Sequence, residues 1–313
     1  MKLKTCVAGA ALVTLAASGC SAFSDDGGDG DGVAIAAAIY PLAFVAEQVG
    51  GQYATVDLLT QPGQEPHDLE PTIAETALIS GADLVLQEDG LQPGVDAAIE
   101  QNADGTVLEA AAIVGLQPFA DHDHGDGDED HSADDGHDHE GDLDPHFWLD
   151  PIRMAALADA VADALSEIDA DHADSYHANA AGMRTSLETL DHEFNDGLAQ
   201  CERDTIVVSH DAFGYLGKYG VEVAPIAGLS PEAEPTPSDL AELHELIEVD
   251  GITTVFGERL APPRLAETLA EDAGVTTAIL DPIEGLTDDT ADEDYFSLMR
   301  QNLDALRKAN DCR

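Results

Sequence analysis

The stretch Thr205-Ile206-Val207-Val208-Ser209-His210 decides the fold. Three consecutive branched apolar residues leave no polar face, so a strand built from them is covered on both sides, as in a parallel sheet sandwiched between helices. Runs of the same kind recur along the chain. The first half carries them at 33–39, 55–59, 84–87 and 107–110, and the second half at 205–209, 222–226, 253–257 and 276–280. Helical stretches separate them. The expectation is an α/β protein with two parallel-sheet (βα)4 sandwich lobes, each with its own core. Between the lobes, Met154, Leu157, Val161, Leu165 and Ile168 step by three or four, as do Tyr176, Ala180, Met183, Leu187, Leu190, Phe194 and Leu198. The second series defines a helix of about 28 residues, roughly 42 Å long. Such a helix, within a linker spanning 169–200, is expected to join the lobes 33–168 and 201–313 rigidly, with little lobe closure.

Charge narrows the function classes. Asp and Glu total 64 against 12 Lys and Arg, a formal net charge of −52. Nucleic acid and anionic membrane surfaces are repelled by such a chain, whereas cations are attracted. For the overall charge, adaptation to a salty medium or simple solubility is the preferred reading.

The first residues carry an address. Lys2 and Lys4 precede an apolar run at 7–17 that is too short for a permanent membrane span. It ends in Ala17-Ser18-Gly19-Cys20, which resembles the lipobox of bacterial lipoproteins. That resemblance implies a signal peptide at 1–19 and a diacylglycerol anchor on Cys20, the only contact with the membrane, at the outer face of the cell membrane. The Asp-, Gly- and Ser-rich segment 20–32 then reads as a flexible tether with a reach of roughly 20 Å. Two further cysteines, Cys201 and Cys312, remain in an exported chain. They form either a disulfide or two buried free thiols.

Histidine is concentrated in one place. The loop 119–144 holds His122, His124, His131, His137 and His139 among Asp and Gly, with almost nothing apolar to bury. It is expected to be mobile and to bind divalent cations weakly, in many arrangements.

Three other histidines stand where strands end. His67 lies in Glu65-Pro66-His67-Asp68, His146 in Asp144-Pro145-His146-Phe147-Trp148-Leu149-Asp150-Pro151, and His210 directly after its strand. Asp281 follows another strand in Leu280-Asp281-Pro282. Ligands of open α/β sheets bind beyond the carboxyl ends of the strands, so all four can meet in a cleft between the lobes. Three neutral imidazoles and one carboxylate suit tetrahedral zinc, while an oxygen-rich set would suit manganese. Asp281, Glu65 and water are all candidates for the fourth ligand. Glu258, after the strand ending at Gly257, either orients a histidine or caps a helix.

These motifs, together with Ile39-Tyr40-Pro41-Leu42 and Ser209-His210-Asp211-Ala212-Phe213-Gly214-Tyr215, resemble those of the zinc/manganese substrate-binding proteins of ABC importers, over nearly all of 33–313. The resemblance implies capture of Zn2+ outside the membrane and delivery to a permease with its ATPase, by a monomer, with no chemistry on the metal. In that family the position matched by His210 is histidine in zinc-type members and a carboxylate in many manganese-type ones. A manganese-specific binding protein, a metal-dependent adhesin and a zinc hydrolase are the alternatives. The hydrolase is disfavoured because the chain has no His-Glu-x-x-His element.

Overall fold

A computed structural model describes residues 32–119, 143–231 and 233–313. The first lobe runs β1 (Val33–Ala37), α1 (Tyr40–Gly50), β2 (Ala54–Leu58), α2 (Ile73–Gly81), β3 (Leu84–Gln87), α3 (Pro93–Asn102), β4 (Thr106–Glu109) and α4 (Ala110–Val114). Its strands form a sheet in the order β2-β1-β3-β4, every pair parallel. A two-residue antiparallel ladder, β5 (Gln117–Pro118) with β6 (Leu143–Asp144), brackets the His-rich segment. Then come α5 (Pro151–Ile168) and α6 (Ala173–Leu198).

The second lobe contains β7 (Thr205–Val208), β8 (Glu222–Pro225), α7 (Pro237–Val249), β9 (Thr254–Gly257), α8 (Arg264–Ala273), β10 (Thr276–Ile279) and α9 (Tyr295–Ala309). Its sheet, β10-β9-β7-β8, is also parallel throughout. As the alternation of apolar runs predicts, β7 is buried along its whole length.

Helix α6 buries the seven residues of its periodic stripe, Tyr176 to Leu198. At 26 residues it is about 39 Å long, and it packs against α1 and α5 at one end and α9 at the other. The expectation of a separate core in each lobe is corrected here. One continuous apolar cluster runs from Val33 through Trp148, Phe194 and Phe213 to Ala309, and only a satellite around Val207, Leu243, Val255 and Leu269 is private to the second lobe. The cause is that α1 packs on α5 and α6, α6 on α9, and Phe44 of α1 on Tyr295 of α9, so their apolar faces merge. Lys218 adds a polar tie, its Nζ lying 2.7 Å from both Asp150 Oδ1 and Asp191 Oδ1. This ammonium joins the segments following His146 and His210 to the long helix.

Cys201 and Cys312 form a disulfide that closes a 111-residue separation. On the chain-entropy argument it stabilises the fold by about 4–5 kcal/mol. Among the described residues no helix is long and apolar enough to cross a membrane.

Candidate metal centre

Each donor is aimed by its own turn. After β2 the chain passes Gly63, whose φ of +78° suits glycine and whose N–H donates to Leu286 O of the second lobe at 2.7 Å. Glu65 then folds back on the loop. Its Oε1 accepts the backbone N–H of His67 at 3.1 Å and its Oε2 that of Asp68 at 3.4 Å, which leaves the His67 ring free to point into the cleft.

His146 follows β6. Asp144 Oδ1 accepts both the backbone N–H of His146, at 2.9 Å, and the ring Nδ1–H, at 2.8 Å. Buried Phe147, Trp148 and Leu149 pin the turn from behind. Gly214 is required here, because a Cβ on it would sit 2.6 Å from Asp144 Oδ2. His210 stands two residues past β7, and Glu258, just past β9, repeats the arrangement. Glu258 Oε1 lies 3.2 Å from the backbone N of His210 and 2.7 Å from its Nδ1. In both rings a carboxylate holds the proton on Nδ1, so the Nε2 lone pair faces the cleft.

The three Nε2 atoms converge on one oxygen. Glu284 Oε1 is 3.2 Å from His67 Nε2, 3.3 Å from His146 Nε2 and 3.6 Å from His210 Nε2. One donor atom from each of the four residues lies within 4.8 Å of the others. His146 and His210 are 0% exposed, Glu284 1% and His67 9%. Nε2 of His146 and of His210 make no hydrogen bond despite complete burial, a deficit that proteins rarely leave unfilled. A cation at the centre would fill it.

The electrostatics agree with this arrangement. Burial alone pushes the Glu284 carboxyl up, but the imidazoles of His146, His210 and His67 crowded around it hold it well below the usual carboxylate range. Burial lowers the affinity of the His210 ring for a proton, yet Glu258 and Glu284 outweigh burial and push its pKa up to about 10. His146 is raised too, Asp144 and Glu284 overcoming its burial. Both rings therefore hold a proton more firmly than a free imidazole does.

Asp281 does not join the cluster. Its Oδ1 accepts the N–H of Ile283 at 2.8 Å, and its Oδ2 pairs with Arg259 Nε at 2.9 Å. Asn302 grips its backbone on both sides, at 2.8 and 2.6 Å. An aspartate before proline commonly binds its own backbone two residues on, and here that habit consumes the carboxylate. The turn then forces Ile283 into the left-handed region, at φ 63°, a conformation that a β-branched residue adopts only under constraint. Trp148 Nε1 fixes the turn from the other lobe through Pro282 O at 2.7 Å. As a result Glu284 points back at the histidines. The sequence signal for it was the strand-end turn Asp281-Pro282-Ile283-Glu284 taken as a whole, with its second acid as well as its first. Of the other candidates, Glu65 Oε1 stays 4.0 Å from His67 Nε2. Cys20 and the loop histidines His122, His124, His131, His137 and His139 lie outside the described residues.

The family model of the zinc-uptake complex component A, periplasmic (ZnuA), matches residues 35–309. The chain belongs to the ZnuA family. Among relatives, it is 36% identical over 290 residues to the zinc-binding lipoprotein AdcA of Streptococcus pneumoniae, covering 88% of this chain and 56% of that protein. It is 30% identical over 284 residues to the high-affinity zinc uptake system protein ZnuA of Bacillus subtilis, covering 89% and 88%. The chain thus spans about half the length of the streptococcal AdcA proteins it matches. The crystal structure of the Zn(II)-bound ZnuA-like domain of S. pneumoniae AdcA superposes with a TM-score of 0.72 at 32% identity, covering 90% of this chain and 99% of that one.

Proposed function

We propose that the chain is the extracytoplasmic zinc-capturing component of an ABC importer, holding Zn2+ between His67, His146, His210 and Glu284 and handing it to a membrane permease driven by its ATPase. The observation that carries this reading is the convergence of three buried imidazole nitrogens on one carboxylate oxygen. Three nitrogens and one oxygen match tetrahedral zinc, whereas manganese prefers more oxygen. Four protein donors also leave no open coordination position for a reacting water, which separates this site from the three-ligand sites of zinc hydrolases. The ion is cargo. Membership of the ZnuA family and the names of the relatives support the same reading.

A competitive titration against a zinc chelator tests it, using protein shortened by residues 120–142 so that β5 and β6 are rejoined. One tight zinc equivalent is expected to remain while weaker additional zinc disappears, and manganese is expected to bind less tightly. Loss of the tight equivalent from the folded, shortened protein, or tighter binding of manganese, would refute the assignment.

We also place the protein at the outer face of the cell membrane through a lipid on Cys20, on the strength of Ala17-Ser18-Gly19-Cys20. Mass spectrometry of membrane-extracted protein is expected to find a chain beginning at diacylated Cys20. An unmodified amino terminus elsewhere would contradict this.

A further inference from the structure

The three histidines are anchored alike but not equally. Each has its backbone N–H bonded to a carboxylate: His67 to Glu65, His146 to Asp144 and His210 to Glu258. For His146 and His210 the same oxygen also takes the ring Nδ1–H, fixing both tautomer and rotamer. His67 lacks this second bond, and among the described residues nothing partners its Nδ1. Its Nδ1 is not among the buried unpartnered atoms, so it reaches solvent. His67 is also the most exposed of the four donors.

We propose that His67 is the exchange ligand: zinc enters and leaves past its swinging imidazole, while His146, His210 and Glu284 stay assembled as a three-point cradle. This rests on the zinc-binding reading above. Rotation of the His67 ring breaks one bond, to Glu284, and leaves the turn held by Glu65. Rotation of either other ring breaks a charge-assisted bond to a buried carboxylate and leaves that oxygen only the backbone N–H of the same histidine. The low-cost path for the ion is therefore on the His67 side. Asp144 and Glu258 act as positioning residues that keep the cradle from opening.

Acylation of imidazoles by diethylpyrocarbonate, followed residue by residue with peptide mass mapping, tests this on the unaltered full chain. Exposed His177 and His244 serve as reference. In metal-free protein, His146 and His210 must wait for a local opening to react, so His67 is expected to be modified at least about tenfold faster than either. Modification of His146 or His210 at the rate of His67 overturns the proposal. A second arm adds one equivalent of zinc before the reagent. Protection of His67 is expected, and its absence would tell against the zinc site itself, independently of the order of reaction seen without metal.

Discussion

Replacing His146 or His210 with Ala is expected to weaken zinc binding by two to three orders of magnitude while leaving the protein folded. A zinc site worth about 10–16 kcal/mol and shared among four ligands assigns about 3 kcal/mol to each, or roughly a hundredfold in affinity. Two further effects deepen the loss. The ring of His146 or His210 leaves a buried carboxylate behind, Asp144 or Glu258, that has lost its ring partner and keeps only the backbone N–H, and the remaining donors must hold an ion open to water on one side. The fold survives because the continuous apolar core does not depend on either ring. Chelator competition measures the loss, and circular dichroism checks the fold. A variant that folds and retains unchanged affinity would remove its histidine from the site.

The pH dependence follows from the same groups. With the His210 pKa raised to about 10 and that of His146 raised as well, zinc must displace protons held more firmly than on a free imidazole, whose pKa is about 6.5. Affinity is therefore expected to climb through and beyond neutrality and to fall as pH drops. For the metal-free fold the sign is opposite. A raised histidine pKa contributes stability that is complete below about 6.5 and is lost as pH rises through the folded value of about 10. Alkaline conditions thus favour the loaded protein twice over.

The second large effect is expected at Glu284. Glu284→Gln keeps the shape of the site but removes its only anionic donor, leaving three neutral imidazoles to balance a divalent ion in a buried site. A loss of roughly a hundredfold follows from the same division of binding energy. Asp281→Asn is the paired control. Its amide oxygen can still accept the Ile283 N–H, so the turn is retained and zinc affinity is expected to change by only a few-fold. If the two variants exchange ranks, Asp281 is the ligand and Glu284 is not.

That pair marks where the sequence stopped being legible. The inner strands β1, β3, β7 and β9 could be read because strands covered on both faces are apolar almost throughout, the half-exposed edge strands β2, β4, β8 and β10 because they recur at the same spacing, and α6 because its buried stripe repeats every three or four residues. His67, His146 and His210 could be placed at one end of the sheets because each follows a strand or opens a helix. What periodicity does not carry is the direction of a turn. Asp281 is the first acid after β10, yet its carboxylate is spent on Ile283 N and Arg259, and the left-handed residue that swings Glu284 inward is an isoleucine, a β-branched type in which such a conformation is least expected. The merging of the two cores was hidden for a related reason. The apolar stripes of α1, α5, α6 and α9 state how much each helix buries, but not that they bury it against one another.

The two sheets share one strand order, the second strand at an edge, then the first, third and fourth, but the donors ignore this repetition. His67 follows the second strand of its lobe, whereas His210 follows the first of its own and Glu284 the fourth. At the positions matched by the repeat, Ala38 and Ile39 follow β1, and no histidine occurs in 226–236 after β8. The framework is duplicated while the coordination sphere has no twofold relation. Two copies of the first lobe, paired about an axis, would offer four imidazoles and no anion, and two copies of the second would offer two imidazoles and two carboxylates. Only unlike halves on one chain give three neutral donors and a single negative one, so the charge of the filled site is set by the covalent joining of the lobes.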